Sequence, residues 1–320
     1  MRALPDGFLG GYSPRLLELR LEGILFPALP KLLSSTSDLV KLHLTCIPIS
    51  GCISPEVMAN CLSMLPKLKS LTITFKRLIH FPDQRRPSPL PRAVLPTLTT
   101  FSFKGNSEYL EDFVFRIDAP LLVSLRLRFF DQPMIDIRQL SQFIRHTEIF
   151  GSVIQARLYF GRDPYIRFRP TNNEMMGSKH RTWLSCRIAC NSTDEPLLSM
   201  AQICNQLSPI LFNLKSLSIF VGSKERWSQD GTDPAEWLGL FRTFTAVETL
   251  YVSKELGPHV APALEDLSRD PAMAVLLKLR CLQFGSSRKS TSVNQFITAR
   301  GLSEFGHPIT VEYDKKSPRF

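Results

Sequence analysis

The residues of this 320-residue chain that best suit recognition chemistry are arginines at matching positions of short apolar segments. Three such segments carry Arg126, Arg128, Arg157 and Arg187 beside the residues that the segments would bury. A planar guanidinium binds carboxylate or phosphate through two parallel hydrogen bonds. If the segments are neighbouring strands, about 4.8 Å apart, we expect one cationic patch on three consecutive strands. The alternative is that these are ordinary charged side chains on exposed strand positions.

Catalytic and metal-binding patterns are missing from the sequence. It has no GxSxG, phosphate loop, HExxH or dinucleotide glycine fingerprint, and its six histidines lie far apart. His180, Cys186 and Cys190 resemble metal ligands, but their spacing matches no zinc pattern, so we expect structural roles for them. We predict no enzyme, no catalytic residue, no metal and no cofactor, although distant residues can converge in a repeat array, which keeps catalysis open as an alternative.

The segments that position the arginines repeat one spacing, in which apolar residues lie at i, i+3 and i+5. Eight copies are clear, and they begin at Leu16, Leu39, Leu68, Leu98, Leu122, Leu214, Val247 and Leu279. Two weaker copies, which begin at Val153 and Trp183, fill the gap and keep all intervals between 23 and 33 residues. A chance scatter of leucines would not keep such a period.

The last two apolar residues of each copy are two apart, so they point to the same side of a short strand. Strands of this kind bury their apolar side only when stacked with returning segments behind them. The predicted fold class is therefore α/β: a curved leucine-rich-repeat solenoid of roughly ten strand–helix repeats, with a parallel sheet on the concave face. We expect one domain over residues 1–320, an exposed Pro/Arg-rich loop at 76–96 and an irregular insertion at 161–179.

The positions between the inward apolar residues should form the concave surface, because successive strand residues point to opposite faces. The predicted partner-binding residues on that surface are Arg20, His43, Lys104, Arg126, Arg128, Arg157, Tyr159 and Arg187. An arginine-rich surface predicts a protein partner with an acidic or phosphorylated segment.

Composition limits the remaining classes. Hydrophobic residues make up 43% and charged residues 21%, no apolar run is long enough to span a membrane, and no signal-peptide core is present, so no membrane partner is expected. The seven cysteines are odd in number and lack paired spacing, which indicates a cytoplasmic or nuclear protein. The net charge of +10 and the basic loop leave nucleic-acid binding as an alternative, but that loop has few aromatic residues for base stacking.

Nearly the whole chain resembles the leucine-rich-repeat part of fungal F-box proteins, through residues 13–44, 53–73, 108–127 and 244–267, the second of which reads ISPEVMANCLSMLPKLKSLTI. The resemblance implies a substrate-recruiting role in a cullin-type ubiquitin ligase. No F-box precedes the first repeat in this sequence, so binding of the cullin-ligase adaptor is expected only if an F-box lies upstream. The alternative is a free-standing interaction or inhibitor protein.

Overall fold

The computed structural model describes residues 8, 13–25, 29–76, 92–130, 132, 135–147, 149–150, 153–161, 163–170, 183–189, 196–222, 233–269, 275–285, 291–302 and 308–313. The chain forms two compact units, which are described in turn. The first comprises Met1–Gly151 with Glu174–Cys186, and the second comprises Ser152–Asn173 with Arg187–Phe320.

The first unit alternates short parallel strands with returning helices. In chain order its elements are β1 (Glu18–Glu22), α1 (Leu29–Ser34), β2 (Lys41–Ile47), α2 (Pro55–Ser63), β3 (Ser70–Phe75), β4 (Ala93–Val94), β5 (Thr100–Gly105), α3 (Ser107–Phe115), β6 (Ile117–Asp118), β7 (Ser124–Phe129) and α4 (Arg138–His146). The strands β1, β2, β3, β5 and β7 pair in that order, all parallel. The short strands β4 and β6 pair separately.

The register of these strands confirms the repeat spacing. One row of paired positions runs through Leu19, Leu42, Leu71, Phe101 and Leu125, and each of these side chains is at most 5% exposed. Because the side-chain period of a strand is two, a slip of one residue would have turned every one of them to the other face. The predicted curvature of the array stays a prediction.

An aromatic cluster joins α3 to the apolar side of this sheet. The ring of Tyr109 lies 4.7 Å from that of Phe75 and is stacked against Phe103 at 6.0 Å, and its hydroxyl donates a hydrogen bond to the Ile53 carbonyl oxygen at 3.0 Å. At Gly105 an added Cβ would lie 2.7 Å from atoms of both phenylalanine rings. Glycine therefore allows the end of β5 to approach the cluster closely.

Two helices begin at residues whose side chains cap them. The Ser54 hydroxyl accepts a hydrogen bond from the Val57 amide at 3.3 Å, and the Asp233 carboxylate accepts one from the Ala235 amide at 2.9 Å. Proline follows each cap, where its missing N–H costs nothing. These caps fix where α2, in the first unit, and α7 (Pro234–Phe241), in the second, turn back from the sheet.

The second unit continues the alternation, with one strand reversed. Its further elements are β8 (Val153–Phe160), β9 (Tyr165–Pro170), β10 (Trp183–Ile188), α5 (Pro196–Gln206), α6 (Ser208–Leu211), β11 (Ser216–Val221), β12 (Thr249–Val252), α8 (Gly257–Arg269), β13 (Cys281–Phe284), α9 (Thr291–Leu302) and β14 (Thr310–Tyr313). The order is β9, β8, β11, β12, β13, β14, and only the β8–β9 pair among them is antiparallel. The second unit contains the part of β10 from Arg187 onward.

The reversed strand β9 differs from the prediction of an irregular insertion at 161–179. Ile166 and Phe168 alternate with polar residues and are at most 1% exposed, so residues 165–170 satisfy the same period-two rule as the repeats. Gly161, whose φ of 155° favours glycine, follows β8, and β9 pairs with β8 in the antiparallel direction. Residues 171–179 lie outside the described residues, as do residues 77–91 of the predicted Pro/Arg-rich loop.

Candidate partner-binding surface

The face of each sheet that carries the alternating polar residues is called here the polar face. In the second unit, paired positions place Arg167 of β9 beside Arg157 of β8, and Arg157 beside Ser218 of β11. The next row places Tyr165 beside Tyr159. Each of these side chains points away from the buried residues on its own strand, because successive residues alternate.

Four aromatic rings form a continuous stack across this polar face. The centroids of Tyr165 and Tyr159 are 4.3 Å apart at an interplanar angle of 10°, and Tyr159 and Phe220 are 5.2 Å apart at 19°. Phe220 lies 5.2 Å from Tyr251. Tyr159 and Tyr165 are half-buried, whereas Phe220 and Tyr251 are only 8% and 4% exposed. The stack is thus anchored at β11 and β12 and accessible at β8 and β9.

Three guanidinium groups lie over the rings of this stack. The Cζ atom of Arg157 is 5.2 Å from the centroid of Phe220, that of Arg167 is 5.7 Å from Tyr165, and that of Arg187 is 4.7 Å from the same ring of Tyr165. Cation–π contact of this kind is favourable and restrains the guanidinium planes. These seven residues, namely Arg157, Tyr159, Tyr165, Arg167, Arg187, Phe220 and Tyr251, are called the arginine–aromatic cluster.

The arginine–aromatic cluster contains three cationic side chains, those of Arg157, Arg167 and Arg187. Asp163 provides a carboxylate 3.9 Å from Arg187. Burial, and then the neighbouring Tyr159, raise the pKa of Tyr165 above its ordinary value, although the three arginines oppose this. Tyr165 therefore keeps its proton at neutral pH and can act as a hydrogen-bond donor.

The predicted site residues divide between the two units. Arg157, Tyr159 and Arg187 belong to the arginine–aromatic cluster, whereas Arg20, His43, Lys104, Arg126 and Arg128 lie on strands of the first unit. The expectation that the arginines occupy three consecutive strands is wrong. Strand β9 lies between β8 and β10, and the Ile188 amide, next to Arg187, donates to the Pro164 carbonyl just before β9.

The polar face of the first unit is less concentrated in charge. Arg20 forms an ion pair with Glu18, which also lies 3.5 Å from Lys41. His43 Nδ1 lies 3.1 Å from the Thr72 hydroxyl, and burial, followed by the charge of Arg20, lowers the pKa of His43. His43 is therefore neutral at physiological pH and adds no cation to this face.

Two arginine-bearing positions of the first unit pair with polar neighbours. Arg126 is opposite Ser102, and Arg128 is opposite Lys104 in the register of β7 and β5. The Lys104 ammonium lies 5.4 Å from the centroid of Phe130. This pair resembles the arginine–aromatic cluster in charge, but one of its two cations is a flexible lysine.

Sequence reasoning missed Tyr165, Arg167, Phe220 and Tyr251. The alternation of YIRFR at 165–169 was the available signal for a strand carrying Tyr165 and Arg167 on one face. Phe220 and Tyr251 also lie on the polar face, where the strand register pairs Phe220 with Tyr159 and Tyr251 with Ser218.

Of His180, Cys186 and Cys190, for which structural roles are expected, the part of the chain that is described contains Cys186. There, no group of three His, Cys, Asp or Glu side chains could hold a metal ion. His180 and Cys190 lie outside the described residues, and burial raises the pKa of the Cys186 thiol to about 12, so this thiol stays protonated. In the same part of the chain, no helix has the length and apolar character that crossing a membrane requires.

Comparison with known proteins gives limited similarity. No protein-family model and no curated protein matches the chain. Among solved structures, this protein is similar to a chain of the TLR13–ssRNA13 complex, with a TM-score of 0.35 and 13% identity. The match covers 98% of this protein but only 37% of the other chain. It is also similar to LegL7 from Legionella pneumophila, described as a leucine-rich repeat-containing protein, with a TM-score of 0.30 and 12% identity over 92% of this chain and 89% of LegL7.

Proposed function

We propose that this chain is a non-enzymatic protein-interaction module that binds a partner through the arginine–aromatic cluster. The observation that carries the proposal is the placement of three guanidinium groups over one stack of rings on the polar face. Arginine and tyrosine are among the residues enriched at the energetic centres of protein interfaces. Ordered rings and guanidiniums also lose little conformational entropy on binding.

The test is a quantitative comparison of the proteins that the intact chain and its variants retain from cell extract. The double variant Arg157→Glu with Tyr159→Ala alters the proposed surface. Arg242→Glu is the matched control, because Arg242 is exposed at the end of α7 in the same unit. We expect a discrete set of proteins to be lost with the double variant and kept with the control. Identical sets for all three proteins would contradict the proposal.

The finer form of the proposal is that the module recruits substrates for a cullin-type ubiquitin ligase in the cytoplasm or nucleus. It is supported by the resemblance of four sequence runs to the repeats of fungal F-box proteins. Co-precipitation of the cullin adaptor with the complete gene product tests it. Retention of the partner without the adaptor would keep the interaction module and remove the ligase role.

A further inference from the structure

We propose that strand β1 of one copy of this chain adds, in the parallel direction, to the outer edge of β14 of a second copy. In the strand order β1 begins the first unit and β14 ends the second, and no described strand lies beyond either. Neither edge contains a residue of the arginine–aromatic cluster, so this is a second interaction surface. Three features support it: the outward direction of backbone groups, the incomplete cover of β14 and the match of side chains in the common register.

The backbone groups on the outer edge of β14 are those of its apolar residues. The Thr310 amide donates a hydrogen bond at 2.8 Å to the carbonyl of Arg280, which precedes β13, so Thr310 faces β13. Successive residues of a parallel strand bond alternately to the neighbour on one side and the neighbour on the other. The amide and carbonyl groups of Val311 and Tyr313 therefore point away from β13. They are the groups that a further parallel strand would bond.

The outer edge of β1 carries the complementary set. The Lys41 amide of β2 donates to the Leu17 carbonyl at 3.0 Å, so Leu17 and every second residue after it face β2. The backbone groups of Glu18, Arg20 and Glu22 therefore point outward. Since Lys41 and the alternate residues of β2 meet β1 in the same way, β1 of a second copy can meet β14 with the hydrogen-bond pattern of the array.

The apolar side of β14 is incompletely covered. Val311 and Tyr313 pair with Leu282 and Phe284 of β13 and lie on the same side. Leu282 is 0% exposed and Phe284 is 5% exposed, whereas Val311 and Tyr313 are only half-buried. In a stacked array each repeat is covered by its neighbours. The outer side of β14 therefore suits one more strand with apolar residues in register.

The common register supplies such residues from β1. If β1 takes the place beside β14 that β14 takes beside β13, Leu19 is opposite Val311. Leu21, two residues further on, is then opposite Tyr313. Leu19 and Leu21 are the apolar residues that β1 buries in its own array. Pairing of two β1 edges with each other would leave Val311 and Tyr313 half-buried, so the contact between unlike edges is favoured.

The polar row of the same register joins opposite charges. Arg20 is then directly opposite Glu312, and opposite charges at paired positions of neighbouring strands are favourable. Within its own chain Arg20 forms an ion pair with Glu18, and Glu312 accepts a hydrogen bond from Gln283 at 2.8 Å. Both side chains are nevertheless exposed, so each can contact a further charge.

The test is sedimentation equilibrium of the full chain between about 1 and 100 μM, because a contact between two strand edges is small and small interfaces associate weakly. Arg20→Glu and Glu312→Arg each place like charges at the paired position, and the double variant restores opposite charges. Arg20→Pro removes one outward amide and keeps the bonds to β2. Arg242→Glu is the control, because it makes the same charge change at the exposed end of α7.

We expect the mass of the unsubstituted chain to rise with concentration above that of one chain. Each single charge reversal should weaken association about fivefold, and the double variant should regain it. Arg20→Pro should weaken it at least about tenfold, because a bonded amide is lost and the ring obstructs the edge. Arg242→Glu should associate as the unsubstituted chain does, and thermal denaturation checks that every variant is folded.

A mass of one chain at every concentration would overturn the inference. Association that Arg20→Pro leaves unchanged, or that the double variant does not recover, would overturn it as well. Weakening by Glu312→Arg without weakening by Arg20→Glu would indicate pairing of two β14 edges, and equal weakening by Arg242→Glu would indicate unspecific electrostatics. Either result would also contradict the contact between β1 and β14.

Discussion

Replacement of Glu111 by glutamine should abolish a pH dependence of stability that is built into the first unit. Glu111, on α3, accepts hydrogen bonds from the backbone amides of Gln139 and Leu140, each at 2.7 Å, and so caps the start of α4. Burial raises the pKa of this carboxyl from 4.5 to about 7, although the two amide donors act to lower it. Nearby Asp136 adds to the rise, and Arg138 opposes it.

The sign of the effect follows from proton binding. Between pH 4.5 and about 7 the folded chain holds a proton on Glu111 that the unfolded chain has lost. The free energy of unfolding therefore falls as pH rises through this window, because the folded state binds more protons. The pKa of Glu111 is 4.5 in the unfolded chain and about 7 in the folded chain. This difference corresponds to a total loss of about 3 kcal/mol in the free energy of unfolding, which is complete above the folded pKa.

Urea denaturation of the intact chain, repeated between pH 4 and pH 8 in steps of about half a pH unit, measures this loss. The quantity to plot is the difference in stability between the natural chain and Glu111→Gln, since other titrating groups cancel in it. Glu108→Gln is the control, because Glu108 lies on the same helix and is exposed. A difference that rises with pH would show that the amide donors and the helix dipole outweigh burial, and the reasoning would be refuted.

Three further substitutions and one control test the packing and a helix cap. Leu125→Ala should cost about 2–5 kcal/mol in the free energy of unfolding, because this side chain is 0% exposed, whereas Leu121→Ala, at 55% exposed, should change it by less than about 0.5 kcal/mol. Gly105→Ala should destabilise by about 1–3 kcal/mol, since its Cβ would lie 2.7 Å from two phenylalanine rings, and thermal denaturation measures it. Ser54→Ala should cost about 1 kcal/mol through loss of the α2 cap, and an unchanged melting temperature would contradict this.

The strand register was predictable because two constraints coincide in the sequence. Leu71 and Ile73 are two apart, which fixes the buried face of their strand, and the regular interval fixes which neighbour each meets. The structure pairs Leu71 with Leu42 on one side and with Phe101 on the other, as the interval requires. Ala156, in a weak copy, is buried as the spacing predicts, but it pairs with Leu217 rather than with the copy that begins at Trp183.

The interrupted part of the array was not predictable from the repeat. Strand β9 pairs in the antiparallel direction with β8, the strand just before it in the chain, so its position depends on local chain reversal rather than on a period. A search for one repeated spacing cannot detect such a strand. Because Tyr165 and Arg167 lie on β9, the aromatic and cationic character of the site was missed with it, although Arg157 and Arg187 were recognised.

Both units place like charges at directly paired positions, and the difference between them shows why the second unit is the stronger candidate. In the first unit, Lys104 faces Arg128, and a lysine ammonium on a flexible stem can move away from its neighbour and remain hydrated. In the second unit, Arg157 and Arg167 lie over aromatic rings, which restrains their guanidinium planes. This restraint lowers the entropy cost of binding a partner, so the second unit offers the surface that is better prepared for binding.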